Sequence, residues 1–224
     1  MPEAIITVRG EHTSTHPAEQ ATVLVSAQFD GPDREQAIES ATVAASEVRA
    51  SFDEVADRNP TAIVRWSSDS LRVWAERPWN NEGAQLPLVF HAVVDISVVF
   101  GDLGAVAPWL RRSAGTDGVS VSSIAWDLSE ESRRAAVAAA RVHAVEDAAS
   151  KAADYARAVG LTRVTAVAVA DSGMLDGAGE HAPQPVMERT AMTTRFDGSD
   201  PLALELHPSD VVIAGSVDAR FVAS

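Results

Sequence analysis

Along this chain, apolar and polar residues alternate with a period of two in some stretches and recur near 3.6 in others, and these patterns mark out its elements. Between positions 21 and 29, Val23, Val25, Ala27 and Phe29 point one way and Thr22, Ser26 and Gln28 the other, which predicts a strand. The strongest strand pattern runs from 88 to 100. One face reads Leu88, Phe90, Ala92, Val94, Ile96, Val98 and Phe100, with no polar residue. The other mixes Val89, His91, Val93, Asp95, Ser97 and Val99. The first face belongs to a core, and the second is half solvated or meets a partner. Shorter strands are predicted at 5–8, 62–66, 71–77, 119–126, 164–170 and 211–221.

The helical period appears three times. Ala37, Ala41, Ala44, Val48, Phe52 and Val55 form one apolar stripe, with Asp30 or Gly31 as cap, Pro32 in the first turn and Asn59-Pro60 as the stop. A short helix is predicted at 103–113. The longest covers about 130–159, capped by Asp127 or Ser129, with Asp127 and Glu130 resembling a capping box and Gly160 suited to the C′ position. Its apolar stripe is read as Ala138, Val142, Val145, Ala149, Ala152, Ala156 and Val159. Such small side chains allow the helix to lie close to its neighbour. The stretch at about 171–203 is rich in Gly, Pro and isolated charges, has no period, and reads as a long irregular loop or arm. No linker separates independent halves. The pattern predicts one α+β domain over 1–224, mainly an antiparallel sheet with two long helices packed on one face.

Four stretches of this sequence resemble the SIMPL-domain family, which includes immunogenic periplasmic proteins and stress-associated proteins of bacteria. Ile6-Thr7-Val8-Arg9-Gly10-Glu11, followed by Pro17 and a strand, resembles the family's V-x-G-x-G…P entrance. Val94-Asp95-Ile96-Ser97-Val98, with Phe100 and Asp102-Leu103-Gly104, resembles its V-x-V-x-D-L junction of strand and helix. Trp126-Asp127-Leu128-Ser129, Arg133-Arg134-Ala135 and Ala152-Ala153-Asp154-Tyr155-Ala156 with Gly160-Leu161 resemble its A-R-x-x-A…A-x-x-Y-A-x-x-L-G helix. Leu206-His207-Pro208 resembles its I-x-P-G turn, although Ser209 stands in place of the glycine. The likeness covers nearly the whole chain. It implies self-assembly, since some members are thought to form ring-like homo-oligomers, and a tie to stress. It supplies no catalytic residues to carry over.

Composition narrows the function classes. The 224 residues include no cysteine, so disulfides, thiolate metal sites and cysteine nucleophiles are excluded. The formal charge of -14 repels nucleic acid and anionic membranes. The opening residues show no basic segment followed by an apolar one, so no secretion signal is read, and no apolar run is long enough to span a bilayer. The expected location is cytoplasmic. Abundant Ala and Arg with Lys151 as the sole lysine suit a GC-rich bacterial genome.

No constellation of residues specifies a reaction. His12 and His16 flank an expected turn, but zinc needs three or four converging ligands. His91 and Asp95 share a strand face about 13 Å apart, too far to hydrogen-bond. His143 and Asp147, at i and i+4 on the long helix, are able to touch, as surface pairs often do. There is no G-x-S-x-G, no P-loop and no basic patch interleaved with aromatics. No catalytic residue, metal ligand or cofactor is assigned.

The tryptophans carry more information. Trp74 lies between Arg72 and Glu76 on the polar face of its strand, and Trp79 follows Pro78. They mark either an interface or a second small core under the loop between Pro78 and Pro87. Trp74, Trp79, His91 and Asp95 are the candidate interface residues. The expected function is a non-enzymatic, self-assembling interaction or scaffold protein, with an unidentified protein partner also open. The alternative is a small-molecule or peptide binding module, and an enzyme ranks last.

Overall fold

The computed structural model describes residues 3–79, 85–175 and 206–224. Within them are eight strands and three helices, all sheet pairings are antiparallel, and the α+β expectation holds. The strands belong to two sheets, each with its own long helix, where the hydrophobic pattern had suggested one sheet carrying both. Strand alternation identifies a strand's faces but not its neighbours, so division between sheets leaves no local trace. The chain groups into two compact units. Among the described residues, 3–17, 128–175 and 210–224 form the first, and 18–79, 85–127 and 206–209 the second.

The first unit has a three-stranded sheet in the order β1-β8-β7, from β1 (Ala4–His16), β7 (Val164–Asp171) and β8 (Val211–Ala223). The first and last strands pair along their whole length, from Ala4 opposite Ala223 to His16 opposite Val211. His12 and His16 therefore lie inside a long strand and flank no turn. Helix α3 (Glu130–Ala158) covers this sheet. Ser129 is its cap, its Oγ accepting the Ser132 amide at 3.2 Å, and Gly160 beyond its end has φ +78°.

The buried stripe of α3 differs from the one read in the sequence. Ala136, Ala140, Ala144, Ala148, Ala152 and Ala156 are buried, whereas Val142, Val145 and Val159 are exposed. The valines made the wrong face look apolar. Closeness of approach selects the smallest side chains instead. A Cβ on Gly10 of β1 would lie 1.9 Å from the Ala144 carbonyl oxygen, and one on Gly215 of β8 would lie 2.7 Å from the Ala140 backbone. A row of residues at i, i+4 runs obliquely to a helix axis, which suits a helix crossing a twisted sheet.

Polar ties hold the same helix to β1. Asp147 accepts the Glu11 amide at 2.9 Å and pairs with Lys151 at 2.6 Å, while Lys151 Nζ donates to the Arg9 carbonyl at 3.0 Å. The Lys151 hydrogen bond and the Glu11 amide hold the Asp147 carboxyl below the usual carboxylate range. On the opposite face of the sheet, Arg9 pairs with Asp218 at 2.8 Å, and the Gly173 amide donates to Asp218 at 2.6 Å. Arg9 and that amide lower the Asp218 carboxyl in the same way.

The second unit has a five-stranded sheet. Its members are β2 (Gln20–Gly31), β3 (Ile63–Ser68), β4 (Arg72–Glu76), β5 (Val89–Phe100) and β6 (Val119–Asp127). The order is β3-β5-β2-β6, with β4 also pairing β5. Helices α1 (Arg34–Arg58) and α2 (Leu103–Ser113) pack on its inner face. Asp33 caps α1, accepting the Gln36 amide at 2.9 Å, and β2 continues to Gly31, so the cap falls later than Asp30 or Gly31. The Phe52 and Trp109 rings meet at 5.7 Å, tilted by 32°, Trp109 meets Phe100 at 5.3 Å, and Trp109 Nε1 donates to Ser51 Oγ at 2.9 Å. The indole is thus buried with its N–H satisfied.

Candidate functional site

The outer face of the second unit's sheet carries the side chains that the core has no use for. Alternation along β2 and β5 turns Val23, Val25, Ile96 and Val98 inward and Ser26, Asp30, His91 and Asp95 outward. The antiparallel register then sets Ser26 opposite Asp95 and Asp30 opposite His91. On the other side of β5, β4 sets Trp74 opposite His91 and Arg72 opposite Val93.

Two neighbouring polar clusters result. In one, His91 Nδ1 is 2.6 Å from Asp30 Oδ1, and the Trp74 indole stacks on the imidazole at 5.0 Å with 15° between the planes. His91 Nε2 is buried and makes no hydrogen bond. Glu76 Oε1 lies 3.5 Å from it, near enough for an ion pair with a protonated ring but poorly placed for a hydrogen bond. In the other, Asp95 accepts from Ser26 Oγ at 2.5 Å and pairs with Arg72.

A cleft of about 290 Å³ opens beside Asp95, lined by Ser26, Ser67, Asp69, Asp95, Ser97 and Ser122 above Leu24. Two irregularities border it. The pairing of β2 with β6 slips between Leu24 and Val25, leaving Ser122 as an extra residue. Across the sheet, β3 stops at Ser68 before β4 starts at Arg72, and the Asp69 amide donates to the Asp95 carbonyl at 2.8 Å.

Three of the four candidates read from the sequence, Trp74, His91 and Asp95, come together on this face. His91 and Asp95 do not pair with each other, as their spacing along one strand requires. Trp79 is 84% exposed just past β4, and no described contact joins it to the clusters. The residues between Pro78 and Pro87 that would have formed a second small core lie in part outside the described residues. So does most of the 171–203 arm. Sequence reasoning missed Ser26 and Asp30 as partners, because β2 and β5 are joined only by long-range pairing. Arg72 and Glu76 were visible beside Trp74 through their shared parity. The expected contact of His143 with Asp147 is replaced by His143 with Glu146 at 2.9 Å, because Asp147 is held by Lys151 and the Glu11 amide. His12 faces α3, its ring 4.6 Å from that of His143.

Among the described residues, no group of three or more His, Asp or Glu side chains is placed to hold a metal ion. Nor is any helix among them long and apolar enough to cross a membrane. The model of the SIMPL family, described as a protein of unknown function, matches residues 6–221, and the chain belongs to that family. No curated protein matches the chain.

Proposed function

We propose that this SIMPL-family chain is a non-catalytic interaction protein that assembles with further copies of itself through the β3–β4 edge of its five-stranded sheet. The observation carrying this reading is a group of exposed apolar side chains that includes all three exposed tryptophans. Val64, Trp66, Leu71, Trp74 and Trp79 are exposed on β3, β4 or the residues beside them, and Leu88 is exposed just before β5. Among the described residues, no strand pairs with the outer side of either edge strand. An unpaired edge with apolar side chains on both faces is a template for strand addition. Arg65, Arg72 and Arg77 stand with Asp69 and Glu76 on or beside that edge, so it offers both signs of charge to a second copy. A second copy of the same chain is thus the complementary occupant. The cysteine-free composition favours a reducing compartment, and we read the location as cytoplasmic, which fractionation of the native host would check.

Native mass by light scattering after size exclusion tests the assembly. A discrete oligomer is expected, and Trp66→Lys should shift it to a smaller mass, because a lysine on an edge opposes strand addition. A wild-type chain that runs as a monomer at all working concentrations would overturn the proposal.

The cleft favours a second reading, a binding module for a small hydroxyl-rich ligand. Serine hydroxyls both donate and accept, and Asp95 is already neutralised by Arg72. A panel of neutral monosaccharides in a thermal-shift assay would raise the melting temperature, and Ser97→Val would cancel the rise. Unchanged melting across the panel rejects this second reading.

A further inference from the structure

We propose that His91 is a pH-responsive clamp that fastens the β4 edge strand to the sheet when the imidazole is protonated. The inference rests on the assembly reading for its consequence, but its physical basis is the His91 cluster alone. The ring lies between two carboxylates from two different strands. Asp30 of β2 takes Nδ1 at 2.6 Å, and Glu76 of β4 stands 3.5 Å from Nε2. Trp74, also of β4, stacks over the ring. These are the groups that face His91 from the described elements beside it. Further along the same face stands the Arg72–Asp95 pair, and Gln28 Nε2 donates to Asp30 Oδ1 at 3.5 Å.

The two protonation states of the ring differ in what they offer Glu76. In the neutral ring the Nδ1 proton is committed to Asp30, and the Nε2 lone pair, buried without a hydrogen bond, faces a carboxylate. That contact is repulsive. In the imidazolium Nε2 carries a proton in place of the lone pair, and the positive ring attracts the Glu76 carboxylate 3.5 Å away. The same charge strengthens the stacking on the Trp74 face, since an indole face attracts cations. Both gains act on β4, which pairs with β5 through only five residues, Arg72 to Glu76. Acidification that protonates the ring therefore tightens β4. It thereby stiffens the edge offered to a second copy.

Amide hydrogen exchange across 72–76, followed at dilute protein from pH 8 to 5.5 and corrected for intrinsic rates, reads the clamp directly. Exchange should slow by up to about fivefold on acidification. Trp74 emission, taken as the difference between wild type and Trp74→Phe, should fall over the same range, because a stacked imidazolium quenches indole. His91→Gln should remove both responses. Glu76→Gln, at a side chain already largely exposed, should remove most of the exchange response even if His91→Gln folds poorly. A pH profile of β4 exchange that is the same in wild type and Glu76→Gln overturns the clamp, whatever the native mass does. If instead β4 responds to pH while the native mass stays that of a monomer, the clamp stands and the assembly reading falls.

Discussion

Both units lay one long helix on an antiparallel sheet, yet they fill the space between by opposite means. In the second unit, α1 fills it with Val48 and Phe52 beside its alanines and α2 with Val106, Trp109 and Leu110, so that Phe52, Trp109 and Phe100 pack with the valines of β2 and β5. In the first, α3 fills it with alanine methyls alone and lies so close that β1 and β8 carry glycine where the helix backbone passes. A bulky core gains from the apolar area of each side chain and loses heavily when one is removed. A close-packed alanine interface gains little from any one residue, but it has no room for an added atom. The same architecture is thus sensitive to deletion in one unit and to insertion in the other.

Substitutions at those two interfaces test the contrast most severely. Phe52→Ala, at a side chain 2% exposed, should destabilise by about 3–5 kcal/mol in denaturant unfolding. Gly10→Ala adds one methyl, yet should cost about 1–3 kcal/mol, because the atoms in its way are helix backbone. If Gly10→Ala were as stable as wild type, the close approach of α3 would be wrong.

Acid should act through the carboxylates of the first unit. Asp218 and Asp147 are held below their ordinary range by Arg9, Lys151 and backbone amides. A carboxylate lowered in the folded state adds stability that is complete above its unfolded value, about 3.9, and is lost as pH falls through the lower folded one. Chemical denaturation at pH 7, 4 and 2.5 should show a loss concentrated below about pH 4, and Asp218→Asn should reduce it. The smallest effect on stability belongs to Trp74→Ala. A half-exposed indole on an edge strand should change unfolding by less than about 1 kcal/mol while lowering the native mass. A variant that keeps the wild-type mass would remove Trp74 from the interface.

Much of this was legible in the chain because it is local. The 88–100 pattern identified β5 and both its faces, the 103–113 helix matches α2 to the residue, and the stripe from Ala37 to Phe52 is the buried face of α1. The parity of Trp74 with Arg72 and Glu76 placed all three on one face. His91 and Asp95 were recognisable as polar residues on a half-buried strand, and their separation along it correctly kept them apart.

What local pattern could not supply was the choice of neighbour. Ser26 and Asp95 are 69 residues apart, and only the pairing of β2 with β5 joins them. The alternation that names a strand's two faces does not depend on which strand lies beside it. Periodicity also could not choose between two alanine-rich faces of α3, because hydrophobicity favoured the valines while the glycines of β1 and β8 admitted only the alanines. The sequence by itself therefore determined most of the elements, the faces of β2, β5 and α1, and the family, through propensities acting over a few residues. The tertiary structure alone decided the two sheets, the stripe that α3 buries and the carboxylates around His91, since each depends on which distant backbone comes close.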